Sequence, residues 1–298
     1  MAAECCSEIP VRYYEQCYTT IETMRRRCLG VYDFGTALVQ KGQRYAEKVR
    51  EWAEPAALDY KDYVTAAISE KASLSGESKA TRNDLVELYL AVGVLTIAMA
   101  SGFIGGSFFF GGLVSLVFDP SFVLILLGLI PVYTYLYITK GAVLDDTEAR
   151  FILYLMVLAE SFLAGSLVGY RMAALIPAAA FAIPVVTGLL IDKEIAPEHL
   201  FADREKFVIY AGLGGGVLAF GLALPFGAAT FGALVCILLH AAFLAVHFQL
   251  TMADIKANTF SAAQSQFTYA LALIFIHVIC AFVFGSSAPA ELPAPSEQ

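Results

Sequence analysis

"ATFGALVCILLHAAFLAVHFQLTMA", residues 229–253, holds no Asp, Glu, Lys or Arg, yet it carries His240 and His247 seven positions apart. A run of this length suits a bilayer, whose ~30 Å hydrocarbon core takes about 20 apolar residues to cross as an α-helix. No water is available there to satisfy peptide groups, so the run is expected to be helical throughout. Comparable runs occur at 85–106, 121–139, 149–170, 172–191, 206–225 and 267–285, which makes 229–253 the sixth of seven. Over all 298 residues, 58% are hydrophobic and only 15% charged, with a mean hydropathy of +0.68, far from the composition of soluble domains. The expected fold class is therefore all-α: a polytopic membrane protein of about seven transmembrane helices over 85–285. A polar, amphipathic helical segment (1–84) precedes this domain, and a Pro/Ala-rich tail (286–298) follows it.

The distribution of positive charge supports an odd number of spans. Of nineteen Lys and Arg residues, twelve lie in 1–84, and seven spans place Lys140, Arg150, Lys193, Arg204, Lys206 and Lys256 on that same side. Only Arg171 falls opposite, which is the asymmetry of the positive-inside rule. An even count of spans destroys it. The amino terminus is expected on the positive side (matrix or cytosol) and the carboxy terminus across the membrane. The net charge of −8 says little about partners in such a protein, and no nucleic-acid partner is expected.

In the leading segment, residues 11–54 mix polar and aromatic side chains and read as one or two amphipathic helices broken near Gly30 and Gly35. Pro55 is expected to end that unit, a short helix to cover 56–71, and "SLSGESKATRND" (73–84) to be a linker whose Asp84 caps the first span. No signal-like apolar stretch occurs in the first thirty residues, and acidic residues interleave Arg25, Arg26 and Arg27, unlike a transit peptide. Targeting is thus expected to be internal or by a signal of unrecognised form. Cys6, Cys17 and Cys28, spaced by eleven, fall on one stripe of a continuous helix and suit packing, with disulfides or a metal as the alternatives. With Cys5 they form no C-x-x-C pair. The leader and the tail are expected to dock on other subunits of a larger membrane complex.

Within the membrane region, "GGSFFFGGLVSLVFDP" (105–120) is apolar but interrupted by glycines and by Asp119-Pro120; it reads as an interfacial connection or as an extension of the flanking helices. Gly212 with Gly216, and Gly165 with Gly169, have the small-xxx-small spacing that lets helix backbones approach in lipid. "GLGGG" (212–216) lies inside a span and is therefore no dinucleotide fingerprint.

An Arg opening the third span in "EARFILYLMVLAESFLAGSLVGY" (148–170), the glycine-rich "YAGLGGGVLAFGLALPFGAATFGALV" (210–235) and "HFQLTMADIKA" (247–257) closing the sixth together resemble the Bax-inhibitor family of transmembrane proteins, in particular its mitochondrial branch. The resemblance covers 85–285. It implies a seven-helix bundle, residence in an organellar membrane (mitochondrial inner membrane favoured, endoplasmic reticulum or Golgi as the alternative) and a calcium or proton leak closed by an acidic pair. One Asp of that pair stands in a "YDTQ"-like motif ending helix six, the other in helix seven. Alignment on Gln249 puts His247 at the first position, and "FTYALALIFIHVICAFVF" (267–284) has no carboxylate for the second.

The candidate ionisable side chains are Glu160, His240, His247 and His277 deep in the spans and Asp254 at the end of the sixth. A charge at mid-membrane costs at least ~2.5 to 3.5 kcal/mol, so such groups face partners or cavities. Spacings of seven place His240, His247 and Asp254 on one helix face. Three readings stay open: interhelical hydrogen bonds between neutral side chains, a proton or cation path through these five residues, or a metal site, for which no H-x-x-x-H or clustered Cys/His motif supplies the ligands. No catalytic or cofactor motif is present, neither H-E-x-x-H, nor G-x-S-x-G, nor a P-loop. The chain is accordingly expected to be a non-enzymatic accessory subunit without cofactor or metal, the alternative being a leak channel or ion transporter with a rebuilt His/Glu gate.

Overall fold

A computed structural model of the chain describes residues 53–70, 73–74, 76–140, 145–172, 179–192, 194–196, 198–227 and 229–285, with scattered positions before 53. The expectations for the leader cysteines, Gly30, Gly35 and the 286–298 tail lie outside the described residues. The chain divides into two units, Met1–Thr65 and Ala66–Gln298. Among described residues of the first, 53–65 are helical with Leu58 and Tyr60 exposed. The helical run, α1, covers 53–69. Pro55 therefore does not end a helix, since residues on both its sides are helical; the ring removes one N–H without preventing the turn.

The second unit is a helix bundle whose elements are α2 (Lys79–Ile104), α3 (Gly111–Val117), α4 (Pro120–Lys140), α5 (Asp146–Val168), α6 (Ala182–Ile191), α7 (Arg204–Ala223), α8 (Phe231–Lys256) and α9 (Ala262–Phe284). No described residue is in a strand. Among the described residues, six helices are long and apolar enough to cross a membrane; α6, where the fourth span was expected, has ten residues. The chain nevertheless changes ends between Arg171 and Asp192. Arg171 sits against Gly285 after α9, whereas Asp192 lines a cavity with Lys79 and Arg82 at the start of α2. The helical repeat breaks at Gly169, which ends α5 at φ +58, and the short α6 follows in place of a full-length span.

Hydrophobicity determines which helices form, and small residues determine how they pack. α2 meets α5 through Gly102, Gly106 and Gly165: a Cβ on Gly102 would lie 2.7 Å from the Leu158 carbonyl oxygen, and one on Gly165 would lie 2.8 Å from that of Phe103. In α7, Gly212 and Gly216 face Ala241 and Ile237 of α8, while Gly215 abuts the Ile183 backbone of α6. The expected pairing of Gly165 with Gly169 fails at Gly169, which ends α5 at φ +58 with nothing near its missing side chain. It is a turn glycine. The segment 105–120 extends α2 by a π-helical turn, Gly105–Phe109, before α3.

The first span begins earlier than its hydropathy indicates. Ser78, not Asp84, caps α2, its Oγ accepting from the Thr81 N–H at 3.1 Å. The polar "KATRND" stretch carries good helix formers, so the helix runs out past the apolar residues.

At this end of the bundle, the segment before α2 is clipped to the start of α7. Leu74 N and Ser73 Oγ both donate to the Phe201 carbonyl, at 3.0 and 2.9 Å. Arg204, 1% exposed, donates to the Glu70 carbonyl at 2.8 Å, and Lys256 at the end of α8 pairs with the Glu70 carboxylate. The Lys256 hydrogen bond holds the Glu70 carboxyl below the usual glutamate range, with the charges of Lys256 and Arg204 acting in the same sense. A lowered folded-state value adds stability above the unfolded value, about 4.3, and loses it as pH falls through the folded one. Glu70→Gln is expected to cost about 1 kcal/mol or less near neutrality. The difference from wild type should shrink as pH falls below the unfolded value and disappear once it is below the lowered folded one. Thermal unfolding in detergent across that window checks it, and a pH-independent difference would count against the ion pair.

Candidate functional site

α8 sets the two histidines of the opening stretch on one buried face, at 1% and 3% exposure, as spacing by two turns requires. The structure joins them through two tyrosines. His247 Nε2 lies 3.1 Å from the Ser265 carbonyl oxygen, which only accepts, so Nε2 carries the proton. Its Nδ1 is then an acceptor, and the Tyr89 hydroxyl donates to it at 3.2 Å. His240 Nε2 is 2.7 Å from the Tyr269 hydroxyl. The Tyr269 ring stands edge-on to His247 at 4.9 Å between centroids and to Tyr89 at 6.4 Å. α2, α8 and α9 are therefore tied by one aromatic and polar cluster with Tyr269 at its centre. All four side chains are buried, where an unpartnered polar atom carries a desolvation cost; His240 Nδ1 has no hydrogen-bond partner among the described residues.

The remaining expected residues stand apart from that cluster. His277 donates from Nδ1 to the Leu273 carbonyl of its own helix at 2.9 Å and stacks on Phe103. Glu160, on α5, is 2% exposed, and its Oε1 has no hydrogen-bond partner among the described residues. Asp254 lies in the last turn of α8, where its carbonyl accepts from Thr259 N at 2.9 Å. The five residues thus do not form a continuous hydrogen-bonded track. Among the described residues, no three His, Cys, Asp or Glu side chains are arranged to hold a metal ion. Other buried hydroxyls are satisfied locally: Thr96, Ser161 and Thr187 each donate to the carbonyl four residues back.

Tyr89 and Tyr269 are the members not among the candidate residues read from the sequence. A tyrosine deep in a span has an apolar body and a hydroxyl that must find a partner, so "LVELYLAVGVL" (85–95) offered a signal. What it could not offer is that His247, 158 residues away, is that partner.

Fold and cluster together define a class: an all-α, multi-pass membrane protein whose interior is held by neutral polar pairs and close glycine contacts. Comparison with protein families, curated proteins and solved structures finds no match to the chain.

Proposed function

We propose that this protein is a non-catalytic accessory subunit of a larger membrane complex in an organelle, the mitochondrial inner membrane being favoured, built on a Bax-inhibitor-like bundle whose ion path has been replaced by a structural lock. The observation that carries this reading is that His247, standing where the resemblance calls for a gate carboxylate, has both ring nitrogens committed to other helices. A gate must exchange partners as it opens; a ring held at both nitrogens serves to join α2, α8 and α9. The absence of any carboxylate on α9 points the same way. Positive charge gathered with the leader supports an orientation with the amino terminus in the matrix or cytosol. Docking through residues 1–84 and the tail completes the proposal, the exposed Leu58 and Tyr60 being suited to a partner surface.

One observation favours a leak channel instead: Glu160, buried with an unpartnered oxygen, is costly in a purely structural bundle. Flux separates the two. The purified chain in liposomes between pH 6 and 8 is expected to pass neither calcium nor protons above empty vesicles, and native gels of the source membrane are expected to place it in a high-mass band. Specific flux lost in Glu160→Gln, or migration only as a free monomer, overturns the subunit reading.

A further inference from the structure

A cavity of 710 Å³ opens along α2 where the bundle meets the interface, at the end that holds Glu70 and Arg204. Its lining changes character along one helix face. Lys79 and Arg82 lie at the polar end, and Val86, Leu90 and Val94 continue from Arg82 in steps of four. Arg82 to Val94 is about 18 Å of helix, the depth from headgroup level well into the acyl region. Val94 is 55% exposed, so the apolar end runs out onto the lipid-facing surface.

Arg82 is 7% exposed, and its guanidinium is only partly used. Nη2 donates to the Leu74 carbonyl at 2.5 Å and the group lies 5.1 Å from the Phe201 ring centroid, but Nε and Nη1 have no hydrogen-bond partner among the described residues. Among the described residues no carboxylate pairs with Arg82, whereas Arg150 on the same wall is engaged by Glu87 and Asp146. A guanidinium in the groove wall with two unpartnered nitrogens suits a phosphate oxygen, which it meets with charge-assisted, geometrically matched hydrogen bonds once the side chain turns those buried nitrogens to the groove. The same polar end also holds Glu77, Asp192 and Glu194. A ligand that brought only negative charge would sit against these three carboxylates.

We infer that this groove binds a zwitterionic phospholipid with a primary ammonium headgroup: phosphodiester at Arg82 and Lys79, ammonium toward Asp192 and Glu194, and one acyl chain along Val86, Leu90 and Val94. The bilayer supplies such an amphiphile, and one groove is lined by cations, carboxylates and an apolar helix face together. A quaternary ammonium lacks the N–H donors that carboxylates accept, and a glycerol headgroup lacks the cation, so the site discriminates by headgroup at constant acyl chain.

The full chain in detergent, incubated with matched-chain phosphatidylethanolamine, phosphatidylglycerol or phosphatidylcholine and read by native mass spectrometry, tests this. Retention of phosphatidylethanolamine should exceed that of the other two by about tenfold and fall about tenfold in Arg82→Gln, the scale of losing a hydrogen bond to a charged group. Because Arg82 also holds Leu74, Val94→Trp is the second variant: it fills the exposed apolar end without touching the headgroup contacts and should lower retention with unchanged thermal stability. A photoactivatable acyl chain should label the 86–94 stretch. Equal retention of all three lipids, labelling elsewhere, or retention unaltered in both variants overturns the proposal. Displacement by inorganic phosphate or free phosphoethanolamine at equal concentration also overturns it, by assigning the site to a soluble phosphate.

Discussion

Leucine in place of Gly102 is expected to lower the stability of the bundle by about 3 kcal/mol or to prevent its assembly. The missing Cβ would lie 2.7 Å from the Leu158 carbonyl oxygen and would also run into the Ser161 side chain. A side chain can rotate away, but a carbonyl engaged in its own helix cannot, so α2 and α5 would have to separate. Within lipid no aqueous hydrophobic effect pulls the two helices together again, and the lost van der Waals contact is not recovered. Gly165→Leu meets the Phe103 backbone from the other side and should behave alike. Gly112 on α3 has nothing within 4 Å of its missing Cβ; Gly112→Leu is the control, expected within about 0.5 kcal/mol of wild type. Unfolding midpoints in detergent decide it. Equal midpoints for Gly102→Leu and Gly112→Leu would rule out backbone contact as the basis of the α2–α5 interface.

His247→Ala is expected to cost about 3 kcal/mol, from the cavity left by a buried ring and from the Tyr89 hydroxyl left without an acceptor. Tyr89→Phe removes the same hydrogen bond without the cavity and should cost about 1 to 2 kcal/mol. A double-mutant cycle then isolates the pair: coupling of about 1 kcal/mol or more marks a real interhelical bond, and additivity marks two independent losses. His247→Asp is the informative variant against the resemblance. A carboxylate there would receive the Tyr89 hydroxyl but face the Ser265 carbonyl oxygen, an acceptor against an acceptor. It should therefore be less stable than His247→Gln, whose amide can donate to that carbonyl. The reverse order would argue that the site still accommodates a gate carboxylate.

These outcomes bear on how much of the protein could be read in advance. The long helices were legible because hydropathy is local: each run had to satisfy its peptide groups within itself, and expected and observed bounds differ by only a few residues, as for 121–139 against Pro120–Lys140. The boundaries misplaced were those decided by polar residues. Ser78 rather than Asp84 caps α2 because helix propensity continues past the apolar stretch. Segment 172–191 shows the opposite limit: its composition predicted a full span, and a ten-residue helix covers its described end.

By itself, the sequence determined the class, an all-α multi-pass membrane protein, and the histidine-bearing face of the sixth run, since both follow from hydropathy and from the helical period. Only the tertiary structure decided which buried groups meet. It joined His240 and His247 to Tyr269 and Tyr89, left Glu160 and His277 outside that cluster, assigned Gly169 to a turn, and gathered Arg82, Asp192 and the apolar face of α2 around one groove. The physical reason is that a helix's existence depends on its own residues and its solvent, whereas the partner of a buried polar atom is chosen by the packing of helices far apart in the chain.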